Sequence, residues 1–135
     1  MKKFILPLVF LSAFLLQACN DYGTKLEIGD EDELYYTDNV EEETAQEVGD
    51  YLLENNFFFN NDGSEVSAQI DKDGDTYILN FVVKEEKWED EQVHTAMEMI
   101  GAIISNDVLD NSPVEVHICN NKLESQKKIG PVGGK

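Results

Sequence analysis

The chain has 135 residues, and its 28 acidic side chains against 10 basic ones give a formal net charge of −18. This length fits one ordinary domain with a sizeable hydrophobic core. A surface with this much negative charge repels phosphate backbones, and it lacks the basic patch that nucleic-acid binding needs. We therefore expect no nucleic-acid partner. The same charge keeps a domain soluble and can also steer a cationic protein towards it.

The first residues have the pattern of an export signal. Lysines at positions 2 and 3 give a cationic start, and a mainly apolar run from Phe4 to Leu16 follows. A transmembrane helix needs about 20 apolar residues, and this run is shorter. The pattern is typical of a cleaved secretory signal, and we predict that residues 1–18 are a signal peptide.

The signal ends in Leu16-Gln17-Ala18-Cys19, which resembles the lipobox of bacterial lipoproteins. The resemblance implies that the Cys19 thiol receives a diacylglycerol, that the chain is cut before Cys19, and that the new amine is often acylated. Two or three acyl chains hold firmly, because each buried methylene contributes roughly 0.8 kcal/mol. We therefore expect a protein anchored to a membrane of the bacterial cell envelope, inner or outer. The alternative is an ordinary signal followed by a chance cysteine.

The mature chain divides into three parts. Residues 19–33 contain the lipidated Cys19 and then little hydrophobic periodicity, so we predict a flexible acidic spacer. Residues 34–128 hold the periodic segments and form the predicted domain. Residues 129–135 are rich in Gly and Pro, which predicts a disordered tail.

Within the domain, hydrophobic periodicity predicts four strands and two helices. The strands run at Leu34–Thr37, Val66–Ile70, Thr76–Val83 and Val114–Cys119, with a tight hairpin at Asp73-Gly74. A first helix is predicted to be capped by Asp38 or Asn39, and its apolar side carries Val40, Ala45, Val48, Tyr51 and Leu52. A second helix is predicted to start near Trp88 to Asp90. Its apolar side carries Val93, Ala96, Met97, Ile100, Ile103, Ile104 and Val108.

The order β-α-β-β-α-β predicts an α+β, ferredoxin-like fold. We expect a four-stranded antiparallel sheet with both helices on one face and the other face open to water or to a partner. The expected strand contribution to the core is Val66, Ala68, Ile70, Leu79, Phe81, Val83, Val114, Val116 and Ile118.

Two resemblances concern the domain. Several segments, including Tyr35-Tyr36-Thr37, Gly74-Asp75-Thr76-Tyr77 and Pro113 to Cys119, resemble a small bacterial domain family with no established activity, over about residues 34–128. This implies a shared fold and no function. The helix from Ala45 to Leu52 and the strand from Tyr77 to Val83 also resemble the SPOR domain, which implies peptidoglycan binding as an alternative.

Chemistry-bearing residues concentrate on the last predicted strand. Glu115, His117 and Cys119 alternate onto one face, where a carboxylate, an imidazole and a thiol can hold a metal or form a Cys-His nucleophile. Same-strand neighbours two apart lie about 7 Å from each other, so ligands would have to come from adjacent strands. The cross-strand candidates include no soft metal ligand: Tyr35, Thr37, Gln69 and Asn80. We expect no metal, no cofactor and no catalytic activity, and a free Cys119.

The segment Asp71-Lys72-Asp73-Gly74-Asp75 is an acidic loop that superficially resembles a calcium site. An EF-hand loop needs Gly at the sixth position and Glu at the twelfth. Counted from Asp71, Gly74 is fourth and Val82 is twelfth, so a hairpin turn is the better interpretation.

These features favour a non-catalytic envelope lipoprotein that binds another protein through the open sheet face. The residues assigned to this face are Tyr35, Thr37, Gln69, Asn80, His117 and Cys119. A second hypothesis is an inhibitor or immunity-type lipoprotein that neutralises a basic secreted enzyme through its acidic surface. A third is an enzyme with a metal or thiol centre at His117 and Cys119. The sequence leaves the partner and the oligomeric state open.

Overall fold

The computed structural model describes residues 22–28, 32–55, 57 and 68–134. The predicted signal peptide, the lipidated Cys19 and the expected core residue Val66 lie outside these residues. The described chain forms a six-stranded sheet and two helices. Their bounds are β1 Thr24–Ile28, β2 Asp32–Tyr36, α1 Glu42–Glu54, β3 Ala68–Asp73, β4 Thr76–Val82, α2 Glu91–Asp107, β5 Val114–Cys119 and β6 Ser125–Val132. Neither helix is long and apolar enough to cross a bilayer.

The six strands lie side by side in chain order, from β1 at one edge to β6 at the other. The pairs β1–β2, β3–β4 and β5–β6 are antiparallel. The pairs β2–β3 and β4–β5 are parallel, and a parallel pair needs a long crossover connection. The two helices supply these crossovers, α1 between β2 and β3 and α2 between β4 and β5.

The α+β class and the two helices agree with the sequence prediction, but the ferredoxin-like, four-stranded antiparallel sheet is wrong. In the split βαβ arrangement, another strand separates the two strands that a helix joins. Here each helix returns the chain to the adjacent strand, which makes those neighbours parallel.

Both edge strands were missed by the sequence prediction. β1 occupies part of the predicted spacer at 19–33, and β6 continues through the predicted tail at 129–135 as far as Val132. β1 has only Leu26 and Ile28 as apolar residues, which is too few for a clear alternating pattern. β6 contains Gly130-Pro131, which does not suggest a strand because proline has no backbone N–H to donate to a neighbouring strand. An edge strand tolerates proline, since one of its sides has no neighbouring strand to bond.

The helix starts differ from each other in their caps. The Asp90 side chain accepts a hydrogen bond from the Gln92 backbone at 2.8 Å and caps α2, as the predicted start near Trp88 to Asp90 allows. The predicted cap of α1 by Asp38 or Asn39 is wrong. Glu41 takes that position without a side-chain cap, while Asn39 donates to Asp71.

The core lies between the two helices and one face of the sheet. α1 buries Ala45, Val48 and Leu52, and α2 buries Met97, Ile100 and Ile104. The expected strand residues that are fully buried against them are Ala68, Ile70, Leu79, Phe81, Val114, Val116 and Ile118. Val83 is half-buried beside this cluster.

Each helix approaches an outer strand at a glycine. A Cβ built on Gly49 of α1 would lie 2.7 Å from Cδ1 of Ile28 in β1. A Cβ built on Gly101 of α2 would lie 2.8 Å from Cγ2 of Val132 in β6. The two missed strands therefore complete the surface on which the helices pack.

Candidate functional site

One row of directly paired residues crosses all six strands. The row consists of Lys25, Tyr35, Gln69, Asn80, His117 and Lys128. Because side chains alternate along a strand, this row lies on the face away from α1 and α2, which we call the sheet face. It brings together four of the residues assigned to one face from sequence. Cys119 lies beside Val82 on the same face, two residues beyond His117.

A chain of side-chain hydrogen bonds runs along this row. The Cys119 thiol donates to Oδ1 of Asn80 at 3.6 Å, and Nδ2 of Asn80 donates to Oε1 of Gln69 at 2.8 Å. Nε2 of Gln69 then donates to the backbone carbonyl of Tyr22 at 2.9 Å. The donors point in one direction, so the chain links β5, β4 and β3 to the segment that precedes β1.

The sheet face is less open than expected. Tyr35, Asn80 and His117 are at most 9% exposed, and Cys119 is fully buried. Tyr22 packs edge-on against Tyr35 with ring centroids 5.5 Å apart. These four side chains therefore have little surface with which to contact a partner.

A cleft of about 480 Å³ remains at the surface of the sheet face. Its lining is Tyr22, Gln69, Lys122, Leu123 and Glu124. Both amide atoms of Gln69 are already used, by Asn80 and by the Tyr22 carbonyl. The cleft therefore offers a partner the charged groups of Lys122 and Glu124, of which Glu124 already accepts a hydrogen bond from Asn120, beside Leu123 and an aromatic ring.

The His117 imidazole and the Cys119 thiol do not bond to each other. Nε2 of His117 lies 2.9 Å from Oε1 of Glu115, whereas the thiol donates to Asn80 and, at 3.7 Å, to the His117 carbonyl. Burial raises the pKa of the Cys119 thiol to about 12, so the thiol stays neutral at physiological pH. Within the described ranges, no group of three or more His, Cys, Asp or Glu residues is arranged to hold a metal ion.

Thr37 lies between β2 and α1 and connects this link to β3. Its hydroxyl donates to Oδ1 of Asp71 at 2.5 Å, and Nδ2 of Asn39 and the Lys72 backbone donate to the same oxygen at 3.1 and 2.7 Å. Partial burial acts to raise the pKa of Asp71, but the three hydrogen bonds outweigh it and hold the pKa below its ordinary value. The following hairpin turns at Gly74 with φ +62°, which agrees with the hairpin interpretation of this loop.

The outer surface of the two helices, which we call the helix layer, has charges of one sign. The exposed carboxylates are Glu42, Glu43, Glu47, Asp50 and Glu54 in α1 and Glu91, Glu98 and Asp107 in α2. Neither helix contains a Lys or Arg. The two exposed large apolar side chains of the described part, Leu53 at 39% and Met99 at 57%, belong to the same helices.

A second cleft, of about 370 Å³, lies where the ends of α1 and α2 meet. Its lining is Glu47, Asp50, Tyr51, Glu54, Asp107 and Val108. The Tyr51 hydroxyl donates to Oδ2 of Asp107 at 2.7 Å and joins the two helices. This bond raises the pKa of Tyr51 and, with a bond from Asn106, lowers the pKa of Asp107.

Sequence reasoning did not single out the helix layer as a site, although part of its signal was present. The absence of lysine from both predicted helices is readable from the sequence. The exposure of Leu53 and Met99 is not, because it depends on how each helix is rotated on the sheet.

No curated protein and no solved structure matches this chain. Residues 25–130 match the model of an uncharacterised family, which is described as "family N-terminal domain". The matched range starts in β1 and ends in β6, so it includes both helices and the four central strands. Because the match spans most of the chain, the chain belongs to this family.

Proposed function

We propose that this chain is a lipid-anchored protein of the bacterial cell envelope whose domain binds a cationic protein and catalyses no reaction. The anchor is the lipid on Cys19, after removal of residues 1–18, as the lipobox resemblance implies. The observation that carries the binding role is the helix layer, where exposed Leu53 and Met99 stand among carboxylates with no lysine on either helix.

Such a surface combines exposed apolar side chains with charges of one sign, and both features can serve a protein interface. Interfaces place a few apolar or aromatic anchors within a polar rim, and methionine is enriched among the anchors. Charges of one sign select partners of the opposite sign and accelerate their association. A basic secreted enzyme fits this description, so the inhibitor or immunity-type role is the form of the proposal that we favour.

The sheet face is the second candidate surface. The cleft beside Tyr22 supports it, with Lys122 and Glu124 at its rim. The buried state of Tyr35, Asn80 and His117 makes this surface weaker as a contact area than the sequence led us to expect. A SPOR-like peptidoglycan-binding role gains no support from a six-stranded sheet with parallel pairs.

Site-specific crosslinking in the bacterium that produces the protein tests this choice of surface. A photo-crosslinking amino acid replaces Met99 on the helix layer in one strain and Glu124 on the sheet face in another. We expect covalent adducts with a basic protein from position 99. Adducts obtained only from position 124 would assign binding to the sheet face.

Binding of the purified partner then tests the role of charge. Glu98 neighbours Met99 on α2, so Glu98→Lys should weaken binding by about tenfold, and affinity should fall as salt rises. The matched control is Asp73→Lys, which makes the same charge change on the exposed end of β3 and should leave affinity unchanged. Salt-independent binding, or equal effects of the two variants, would contradict the proposal.

The anchor is tested separately in the same cells. We expect acyl mass on the N-terminal cysteine of the purified protein and loss of membrane fractionation in a Cys19→Ala variant. Normal membrane fractionation of that variant would refute lipidation.

A further inference from the structure

Tyr22 is held on the sheet face by its ring and by its backbone. The ring packs edge-on against Tyr35 of β2 and joins an apolar cluster with Leu123, and the carbonyl accepts the hydrogen bond from Gln69 of β3. Gly23 allows this position, because its φ of +101° turns the chain between Tyr22 and β1. A Cβ on Gly23 would collide with the carbonyl oxygen of Tyr36. Tyr22 therefore lies over the second and third strands.

The distance from Tyr22 to the proposed anchor is short. Only Asn20 and Asp21 separate Tyr22 from Cys19. Consecutive Cα atoms are about 3.8 Å apart, so three steps reach at most roughly 11 Å. A lipid on Cys19 that is inserted in a bilayer therefore keeps Tyr22 close to the membrane surface.

This tether is too short to turn the helix layer towards the membrane. From Tyr22, such a path has to pass around β2 and β1, whose spacing is about 4.8 Å per strand. It then has to cross the thickness of a helix, which is about 10 Å with its side chains. The total of roughly 20 Å exceeds the reach of three residues.

Electrostatics favours the same orientation. The helices α1 and α2 have exposed carboxylates and contain no lysine that would balance their charge. Anionic lipid head groups therefore repel the helix layer. The sheet face has Lys25 and Lys128 in the cross-sheet row and Lys122 at the cleft, among its own acids. The sheet face is therefore the less strongly repelled of the two.

We propose that the sheet face lies against the bilayer and that the lipid surface covers the cleft lined by Tyr22, Lys122 and Leu123. This inference rests on the proposed lipid anchor at Cys19. It turns the helix layer, the proposed protein-binding surface, away from the membrane and towards soluble partners.

The test uses the mature chain, residues 19–135, coupled through Cys19 to a maleimide-bearing lipid in phosphatidylglycerol nanodiscs. Cys119 is buried, so Cys19 is the thiol that reacts. The discs contain a gadolinium-chelating lipid, which broadens the amide NMR signals of residues close to the head groups. We expect loss of the signals of Leu123 and Gln126, whereas those of Glu47 and Glu98 keep the intensity that they have in gadolinium-free discs.

A control variant carries twelve Gly and Ser residues inserted between Cys19 and Asn20. This linker spans roughly 19 Å on average, so the difference between the two faces should disappear. With the native tether, equal broadening on both faces, or stronger broadening at Glu98, would overturn the proposed orientation. Because the lipid is coupled chemically, this result is independent of whether cells lipidate Cys19, which the mass measurement decides.

Discussion

The side-chain amide of Asn80 donates to the side-chain amide of Gln69 across the β3–β4 pair, with 2.8 Å between Nδ2 and Oε1. Asn80 is only 9% exposed, and its own oxygen accepts from Cys119. The side-chain nitrogen of Gln69 donates in turn to the Tyr22 carbonyl. This bond therefore joins the middle of the sheet to the segment that leads to the proposed anchor.

Replacement of Asn80 by Ala should destabilise the fold by about 1–3 kcal/mol, because it leaves the half-buried Oε1 of Gln69 without its donor and the buried Cys119 thiol without one of its two acceptors. Urea unfolding of the wild type, Asn80→Ala, Gln69→Ala and the double variant gives the interaction free energy of the pair. Coupled residues show about 0.5 kcal/mol or more. The exposed Asn121→Ala is the control and should stay within about 0.5 kcal/mol of the wild type. Fully additive losses at positions 69 and 80 would show that the bond contributes nothing.

Cys119 should resist thiol reagents in the folded protein, because burial blocks access and raises its pKa to about 12 from an ordinary 9.0. A chain of residues 19–135 with Cys19 already coupled should take up reagent at position 119 only after unfolding in urea. The neutral thiol is the form that the fold favours. Its contribution to stability is therefore complete below pH 9 and is lost as pH rises from about 9 towards about 12. Rapid labelling of the native protein at neutral pH would show that this thiol is not shielded.

The hydrogen bond between Tyr51 and Asp107 should make the pKa of each group depend on the presence of the other. The Tyr51 hydroxyl lowers the pKa of Asp107, so Tyr51→Phe should raise that pKa towards its ordinary 3.8. Because the folded pKa is depressed, the stabilising effect is present above the ordinary pKa and is lost as pH falls through the lowered one. Carboxyl NMR titration of both proteins measures the shift. Asp110→Asn, an exposed acid near the end of α2, is the control and should leave the pKa of Asp107 unchanged.

The sequence predicted which residues share a face better than it predicted which strands are neighbours. Gln69, Asn80 and His117 were assigned to one face because alternation fixes the face whatever the strand order. Strand order instead depends on whether the strand that follows a helix pairs with the strand before that helix or with another one. The hydrophobic periodicity of a short segment does not show with which strand it pairs. The docking of Tyr22 was also invisible from sequence, since it depends on a positive φ at Gly23 and on the Gln69 amide, two features of the folded chain.

Gly101→Ala should destabilise the protein although alanine is the better helix former. The added Cβ would lie 2.8 Å from Cγ2 of Val132 and 3.0 Å from Cγ2 of Val116. Overpacking of this kind costs about 1–3 kcal/mol, which outweighs a helix-propensity gain of about 1 kcal/mol. The double variant Gly101→Ala/Val132→Ala should recover part of the lost free energy of unfolding. A Gly101→Ala protein as stable as the wild type would show that α2 does not pack tightly on β6.

Deletion of residues 129–135 tests how much the last part of β6 stabilises the sheet. It removes Ile129, which pairs with Val116, and Val132, which packs at Gly101. Each half-buried aliphatic side chain contributes on the order of 1 kcal/mol by burial, and the loss of β-ladder bonds along β5 adds to this. We therefore expect a loss of about 3 kcal/mol or more in the free energy of unfolding, which is a large fraction of the about 5–15 kcal/mol that holds an ordinary domain together. Circular dichroism during urea unfolding measures the loss, with deletion of Lys135 alone as the control that should cost nothing. If the shortened chain unfolds at the same urea concentration as the full one, the last part of β6 does not stabilise the sheet.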